Sequence, residues 1–283
     1  MKHTLPLASL VLTIATVCAQ AERHIYVADH NVRKVLEIKE DGTVLWSADN
    51  NNGHDVQVLE NGNVLVNCPP SVREYAPDGR IVWEAGKEVA ADPESAQRLT
   101  NGHTLIADNA KRRVVEIDAD KKLVWTFDVP NSNRRPNPTM RQIRRLDNGN
   151  TLICTSTLDK VIEVSPAKTI VWEYAIPFPY LATRLANGHT IMSSGDGYGS
   201  PRGFYVVEVD KDGKTVWKYG GADAPAEQKL KWPSGFVRLA DGHTLISEAR
   251  AGTIREVSLD KKLVRTIKSP AMQHPCTLVV VDE

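Results

Sequence analysis

Short runs of alternating apolar and polar residues recur along the chain from about residue 24, and no stretch keeps a helical period over a useful length. Around residue 100 the runs are 96–99, 104–107, 114–118 and 123–127. β-branched and aromatic residues fill them, and Asn101-Gly102 separates the first two. An Asn-Gly pair between two alternating runs predicts a tight β-hairpin. The predicted unit is a small antiparallel sheet of four strands.

The unit repeats. Asn/Asp-Gly returns at Asn61, Asn101, Asn148, Asn187 and Asp241. A glutamate inside an apolar alternation returns at Glu37, Glu74, Glu116, Glu163, Glu208 and Glu256. Nine residues after each of these comes Trp46, Trp83, Trp125, Trp172 or Trp217, with Arg265 at the sixth place. Repeats of about 40 residues with four strands each predict an all-β protein, a six-bladed β-propeller with four antiparallel strands per blade. The first copy lacks its first strand, because His24-Ile25-Tyr26-Val27 already matches the second strand of the third copy. The missing strand is expected in Pro275 to Val281, so that the C-terminal strand closes blade 1 and leaves no open edge.

With strands named a to d from the axis outward, the a–b and c–d turns share one face and hold their lengths. The insertions fall in the b–c and d–a loops of the opposite face, the longest being 128–138, 193–203 and 220–232. Loops that vary on a fixed scaffold are the usual place for binding.

Length, composition and charge narrow the class. The 283 residues carry 35 Lys+Arg against 35 Asp+Glu, which excludes binding to nucleic acid or anionic membrane by bulk charge. Hydrophobic residues make up 41%, which excludes wholesale disorder. The apolar run 5–17 and Ala19-Gln20-Ala21 read as a signal peptide over 1–21, with a mature propeller domain over 22–283. A periplasmic or secreted monomer with no membrane segment after cleavage is expected. Cys68, Cys154 and Cys276 remain in it, and an odd number leaves at least one without an internal partner.

The repeat itself sorts the polar residues. The six glutamates, the histidines after the turns (His24, His103, His189, His243) and the arginines at one place in strand a (Arg98, Arg145, Arg184, Arg238) are repeat positions, and a structural role is expected for them. Ion pairs would satisfy the carboxylates and guanidinium groups, and each Trp would pack between blades. His30, His54 and His274 fall on the variable face instead. At the channel mouth, where strand a begins, the repeat breaks: the six residues are Cys276, His54, Glu94, Arg141, Tyr180 and Ser234. Mixed polar chemistry at one repeat position marks a candidate site. Asp55, Gln142 and His274 lie beside this ring, and Arg134, Arg135, Tyr198 and Trp232 could reach it from the long loops. His54, His274 and Arg141 are the candidate catalytic groups, as anion clamp, nucleophile or acid/base. Asp55, Glu94, Gln142, Tyr180, Tyr198, Trp232, Ser234 and Cys276 are the candidate ligand contacts. No cofactor motif, zinc cluster or triad spacing is visible. Calcium on His54, Asp55 and Glu94 is the alternative cation reading.

The segment from Gly53-His54-Asp55 to Asn61-Gly62-Asn63-Val64-Leu65-Val66 resembles the blade motif of the bacterial arylsulfotransferase family. The Asn-Gly-His-Thr-Leu-Ile and Val-Trp marks are similar to quinoprotein-like repeat propellers. The resemblance implies a periplasmic six-bladed propeller that moves a sulfuryl group between phenols by way of a histidine, with His54-Asp55 as the matching site sequence. Two functions therefore stand side by side. One is an exported propeller that binds a small-molecule, anionic or glycan ligand or a partner in its funnel. The other is arylsulfotransferase-like sulfuryl transfer, or a related hydrolysis, at a His/Arg site.

Overall fold

In the computed structural model, residues 22–130, 139–195 and 203–282 are described; the expected signal peptide, 1–21, and parts of two long loops lie outside them. The described residues form six four-stranded antiparallel sheets around an axis, with two single-turn 3-10 segments at Ser156–Leu158 and Ala226–Gln228. Blade 3 shows the plan: Pro93–Arg98, Thr104–Asp108, Arg113–Ile117 and Leu123–Asp128 pair in chain order from the axis outward. Blade 1 is made from both ends of the chain. Its innermost strand is Pro275–Asp282, followed by Arg23–Asp29, Lys34–Lys39 and Val44–Asp49. Val279 pairs with Tyr26 and Val280 with Ile25, as the repeat alignment requires.

The repeat marks have local causes. In each Asn/Asp-Gly turn the glycine has positive φ, +84° at Gly102, where a Cβ would cost energy. The preceding side chain fixes the turn from within: Asn101 Oδ1 accepts the His103 N–H at 3.0 Å, and Asp241 Oδ1 accepts that of His243 at 2.8 Å. The nine-residue Glu-to-Trp spacing is a register. Glu116 faces Trp125 across strands c and d, Glu163 faces Trp172, and Glu256 faces Arg265, each beside a β-bulge.

Six apolar wedges between neighbouring blades make the core. Leu105, Val114 and Phe127 of blade 3 pack on Ile143, Ile153 and Ile162 of blade 4. At the closing seam Ile25, Val27 and Leu36 pack on Leu245, Ile254 and Ile267.

A polar clasp crosses most seams on the short-turn face. One oxygen of each repeated glutamate binds the residue after the turn in its own blade: His103 Nδ1 lies 2.8 Å from Glu116, and Asn150 Nδ2 donates to Glu163 at 2.6 Å. The other oxygen accepts the arginine of the next blade: Arg98 to Glu74 at 2.8 Å, Arg145 to Glu116 at 2.7 Å, Arg184 to Glu163 at 2.5 Å and Arg238 to Glu208 at 2.8 Å. Each of these guanidinium groups also lies over the preceding blade's tryptophan, 4.4 Å from the ring centre for Arg98 over Trp83. The indoles of Trp125 and Trp217 donate to Pro166 and Leu259 carbonyls of the following blade, both at 3.0 Å. These histidines, glutamates and arginines bind the disc together.

Candidate functional site

The channel mouth on the variable-loop face collects polar groups from several blades. Each stands where strand a begins, so the radial repeat alone brings them to one axis. His54 of blade 2 places Nδ1 3.3 Å from Oε1 of Glu94 on blade 3. The same oxygen accepts a hydrogen bond from Arg141 of blade 4, and Asn109 Nδ2 donates to the other at 3.4 Å. Arg141 in turn lies over the Tyr180 ring of blade 5, 4.8 Å from its centre. Tyr180 meets the His54 ring edge-on at 6.2 Å. A cavity of about 10 Å³, room for about one water, lies among them and is lined also by Asp55, Ser95, Gln142 and Thr277. Four of the proposed ligand contacts, Asp55, Glu94, Gln142 and Tyr180, therefore share one cavity with His54 and Arg141, whereas Trp232, Ser234, Cys276 and His274 stand outside its lining.

Ser234 and Cys276 are fully buried. The Ser234 hydroxyl donates to the Pro275 carbonyl at 2.6 Å, which fixes the closing strand. Burial pushes the Cys276 thiol up to about 12, so it is not a thiolate near neutrality. Cys68, Cys154 and Cys276, the cysteines among the described residues, are buried free thiols. Asp55 forms the floor. Arg144 reaches it across the axis with two bonds, at 2.6 and 2.8 Å, and Ser95 Oγ donates to it at 2.5 Å. Gln142 lies beside this pair.

His274 and Trp232 form the rim. His30 stacks on His54 with ring centres 4.7 Å apart, and its ring is 5.7 Å from that of His274. Trp232 meets His274 edge-on at 6.3 Å and carries the Arg250 guanidinium 4.6 Å above its ring. Trp232 and Phe178 hold φ at +67° and +44°, in a left-handed region that bulky residues avoid. Both occupy the second place before the ring residue of their blade. Tyr198, Arg134 and Arg135 lie outside the described residues.

Burial sets the electrostatics. It lowers the His54 pKa well below the ordinary histidine value, and the positive charges of Arg141 and of the neighbouring histidines add to this. His274 is lowered for the same reasons, burial first and His30 next. Burial raises Glu94 although Arg141 opposes it. At neutral pH the mouth therefore holds neutral imidazoles beside a Glu–Arg pair. Among the described residues, His54 Nδ1, Arg141 Nε and Trp232 Nε1 are buried polar atoms without a hydrogen-bond partner.

The donor set does not suit calcium. Both Asp55 oxygens are taken by Arg144 and Ser95, and Glu94 faces a guanidinium, so a hard cation would meet positive charge. On the opposite face Asp241, His243 and Glu256 come together, but Glu256 already binds Arg23 and Arg265.

Four site residues escaped the sequence reading as contacts. Arg144 and Asn109 look like interior repeat positions, and only their reach reveals a role. Arg250 sits in an outer loop. His30 was separable from the repeat histidines, and its position in the repeat is that of Asn109, the first residue after strand b.

No family model and no curated protein matches this sequence. Solved structures share its fold. A protein of unknown function from Bacteroides caccae is 17% identical with a TM-score of 0.74, over 93% of this chain and 100% of that one. A catalytically inactive virginiamycin B lyase from Staphylococcus aureus, solved with quinupristin, is 14% identical with a TM-score of 0.58, over 90% of this chain and 78% of that one. A chain of a nidogen/laminin complex is 11% identical with a TM-score of 0.68, over 91% and 98%. Fold and mouth together define the class: a six-bladed β-propeller with a polar axial funnel on its long-loop face.

Proposed function

We propose that this is an exported, monomeric propeller, periplasmic or secreted, that binds a small molecule in the axial funnel. The observation that carries the reading is the meeting of His54, Glu94, Arg141 and Tyr180 from four successive blades at one mouth, where His54 Nδ1 and Arg141 Nε, like the Nε atoms of the repeat arginines, lack a hydrogen-bond partner. A buried polar atom without a partner costs about 1–3 kcal/mol, and a polar ligand would recover part of it. Arg141 and His54 stand above the Asp55 floor, and Tyr180 and, at the rim, the edge-on rings of Trp232 and His274 add aromatic surface. The similar fold of a lyase solved with quinupristin supports the use of such a scaffold for a small molecule. No described helix is long and apolar enough to cross a membrane, which accords with this reading.

A second reading is sulfuryl transfer from an aryl sulfate, in keeping with the arylsulfotransferase resemblance. It is favoured by the neutral His54 beside Arg141. Nε2 of His54 would form a bond to sulfur as the aryl S–O bond breaks and a phenolate leaves. A second phenol, losing its proton to solvent, would then take the sulfuryl group and restore the imidazole.

Titration calorimetry and turnover assays with 4-nitrophenyl sulfate, beside a panel of neutral aryl compounds and oligosaccharides, test both. Binding that disappears in Arg141→Ala and weakens in His54→Ala, with the fold intact by circular dichroism, supports the funnel. Turnover lost in both variants supports transfer. Absence of binding across the panel, or binding untouched by either substitution, rejects the site.

A further inference from the structure

Three imidazoles meet at the blade 1–blade 2 seam, and no other seam among the described residues gathers more than one at this mouth. They come from the loop after strand b of blade 1 (His30), the segment before its closing strand (His274) and the start of strand a in blade 2 (His54). The His30 ring stacks on that of His54, 4.7 Å between centres, and lies 5.7 Å from that of His274. The scaffold does not require histidine there. The backbone bond from the His30 N–H to the His274 carbonyl recurs between Asn109 and Asp92 in blade 3 and between Ala249 and Trp232 in blade 6.

Charge makes the stack a poor place for a proton. Arg141 presses positive charge on His54 and His274, and Arg250 adds to it at His274. Two carboxylates face the rings, and both are committed. Glu94 accepts Arg141 and Asn109, and Asp29 accepts the N–H groups of Asn31, Val32, Gln273 and His274. Tyr180 and Cys276, titratable groups beside them, are held neutral by burial. A proton on one ring also repels a second on its neighbour. Burial first, then Arg141 for His54 and His30 for His274, holds both below the ordinary histidine value. Turned out into water, a ring returns to about 6.5. Protons therefore bind the turned-out arrangement more tightly, and by linkage they select it.

We propose that the His30–His54 stack, with His274 at its side, is an acid-operated gate at the axial mouth, closed while the rings are neutral and opened when they take up protons. The motion is confined to side chains, because the bonds to Asp29 pin the backbone beside His30 and His274. His30 Nδ1, 2.9 Å from the Asn52 carbonyl, is the protonated nitrogen of the neutral ring, so Nε2 takes the acid proton. The cavity beside His54 has room for about one water, so a larger ligand enters only when the rings move. Trp232 meets His274 edge-on at 6.3 Å and reports that movement. The proposal goes beyond the small-molecule reading and stands without it, because its readouts are proton uptake and the exposure of Trp232.

The test uses tag-free protein between about pH 8 and 5. Trp232 is the one tryptophan outside the repeat position, so acrylamide quenching of wild type minus Trp232→Phe isolates it. Its exposure should rise in a step centred below about pH 6.5, with far-UV dichroism unchanged. His30→Asn, which installs the blade 3 residue and should fold, should remove the step. His103→Asn, on the opposite face, installs the residue that blade 4 carries as Asn150 and should leave the step in place. Proton NMR of the imidazoles gives a second readout on the wild type. The His54 and His274 signals, assigned through His54→Gln and His274→Gln, should titrate below the ordinary value. Constant exposure of Trp232 in folded protein, a step that persists in His30→Asn, or titration of both rings at the ordinary value overturns the proposal. A step in Trp232 exposure alongside failure with aryl compounds and oligosaccharides rejects the ligand reading and keeps the gate.

Discussion

Arg23 and Glu256 meet at 3.1 Å across the seam where blade 6 joins blade 1. Four other seams carry an arginine from strand a over a tryptophan. Here strand a offers Val280 at that place and Arg265 replaces the tryptophan. Arg23 and Arg265 share Glu40 and Glu256 instead, so charge does the work that an aromatic ring does elsewhere. The Arg23 and Glu256 side chains are only 9% and 2% exposed, which limits screening by salt. Removing one partner leaves the other buried and unpaired. Arg23→Ala should lower the unfolding free energy by about 3 kcal/mol in urea titration.

Glu256 adds an acid limit to this seam. Burial alone would raise its pKa, but the bonds from His243 and Arg23 outweigh it and the net shift is downward. A carboxylate with a lowered native pKa stabilises the fold above its unfolded value, and the contribution is lost as pH falls through the native one. Stability should therefore drop as pH falls below about 4, and Glu256→Gln should flatten that part of a melting-temperature profile.

His54 predicts a second, milder slope. Its native pKa lies well below the ordinary value, so the unfolded chain takes up a proton first as pH falls. Stability from this group is present above about pH 6.5 and declines on going lower. His54→Gln should shallow the slope between pH 7 and 5 in thermal scans, leaving the part that His274 contributes. An unchanged slope would assign it to other histidines.

The Asp55–Arg144 pair should behave as structure. Asp55→Ala strands a guanidinium that already uses both terminal nitrogens on this carboxylate, and about 3–5 kcal/mol should be lost. Pairing Asp55→Asn with Arg144→Met should recover much of that in a double-mutant cycle. If Asp55→Ala is neutral for folding but abolishes ligand binding, Asp55 belongs to the site rather than to its floor.

Truncation before Pro275 should abolish cooperative unfolding. It removes the inner strand of blade 1 and uncovers Ile25, Val27 and their partners in blade 6. Far-UV dichroism with dye binding would show a loose, sticky chain; a sharp transition near the native temperature would contradict the closure.

The sequence carried the blades because each mark is local. Asn-Gly needs its own φ, and the nine residues from Glu116 to Trp125 are one hairpin register. The mouth was legible as far as repeat position goes, since His54, Glu94, Arg141 and Tyr180 stand at one level of the axis. Direction was not legible. Ser234 and Cys276 occupy the same level yet turn into the closing strand, and Asp55 is captured by a residue 89 positions away. Arg144 has Gln97 and Thr183 as its equivalents in neighbouring blades, so nothing in the pattern marks it, and only the length of its side chain lets it cross the axis.

Blade 1 also has a kinetic meaning. Gln273 donates to Asp29 over a separation of 244 residues, and the whole inner pairing of that sheet spans a similar distance. Contacts so remote in the chain are costly to form first, so five blades can assemble while the sixth waits with one edge bare. During synthesis that edge stays exposed until the closing strand leaves the ribosome, and in this interval the nascent protein is most open to aggregation or to a chaperone.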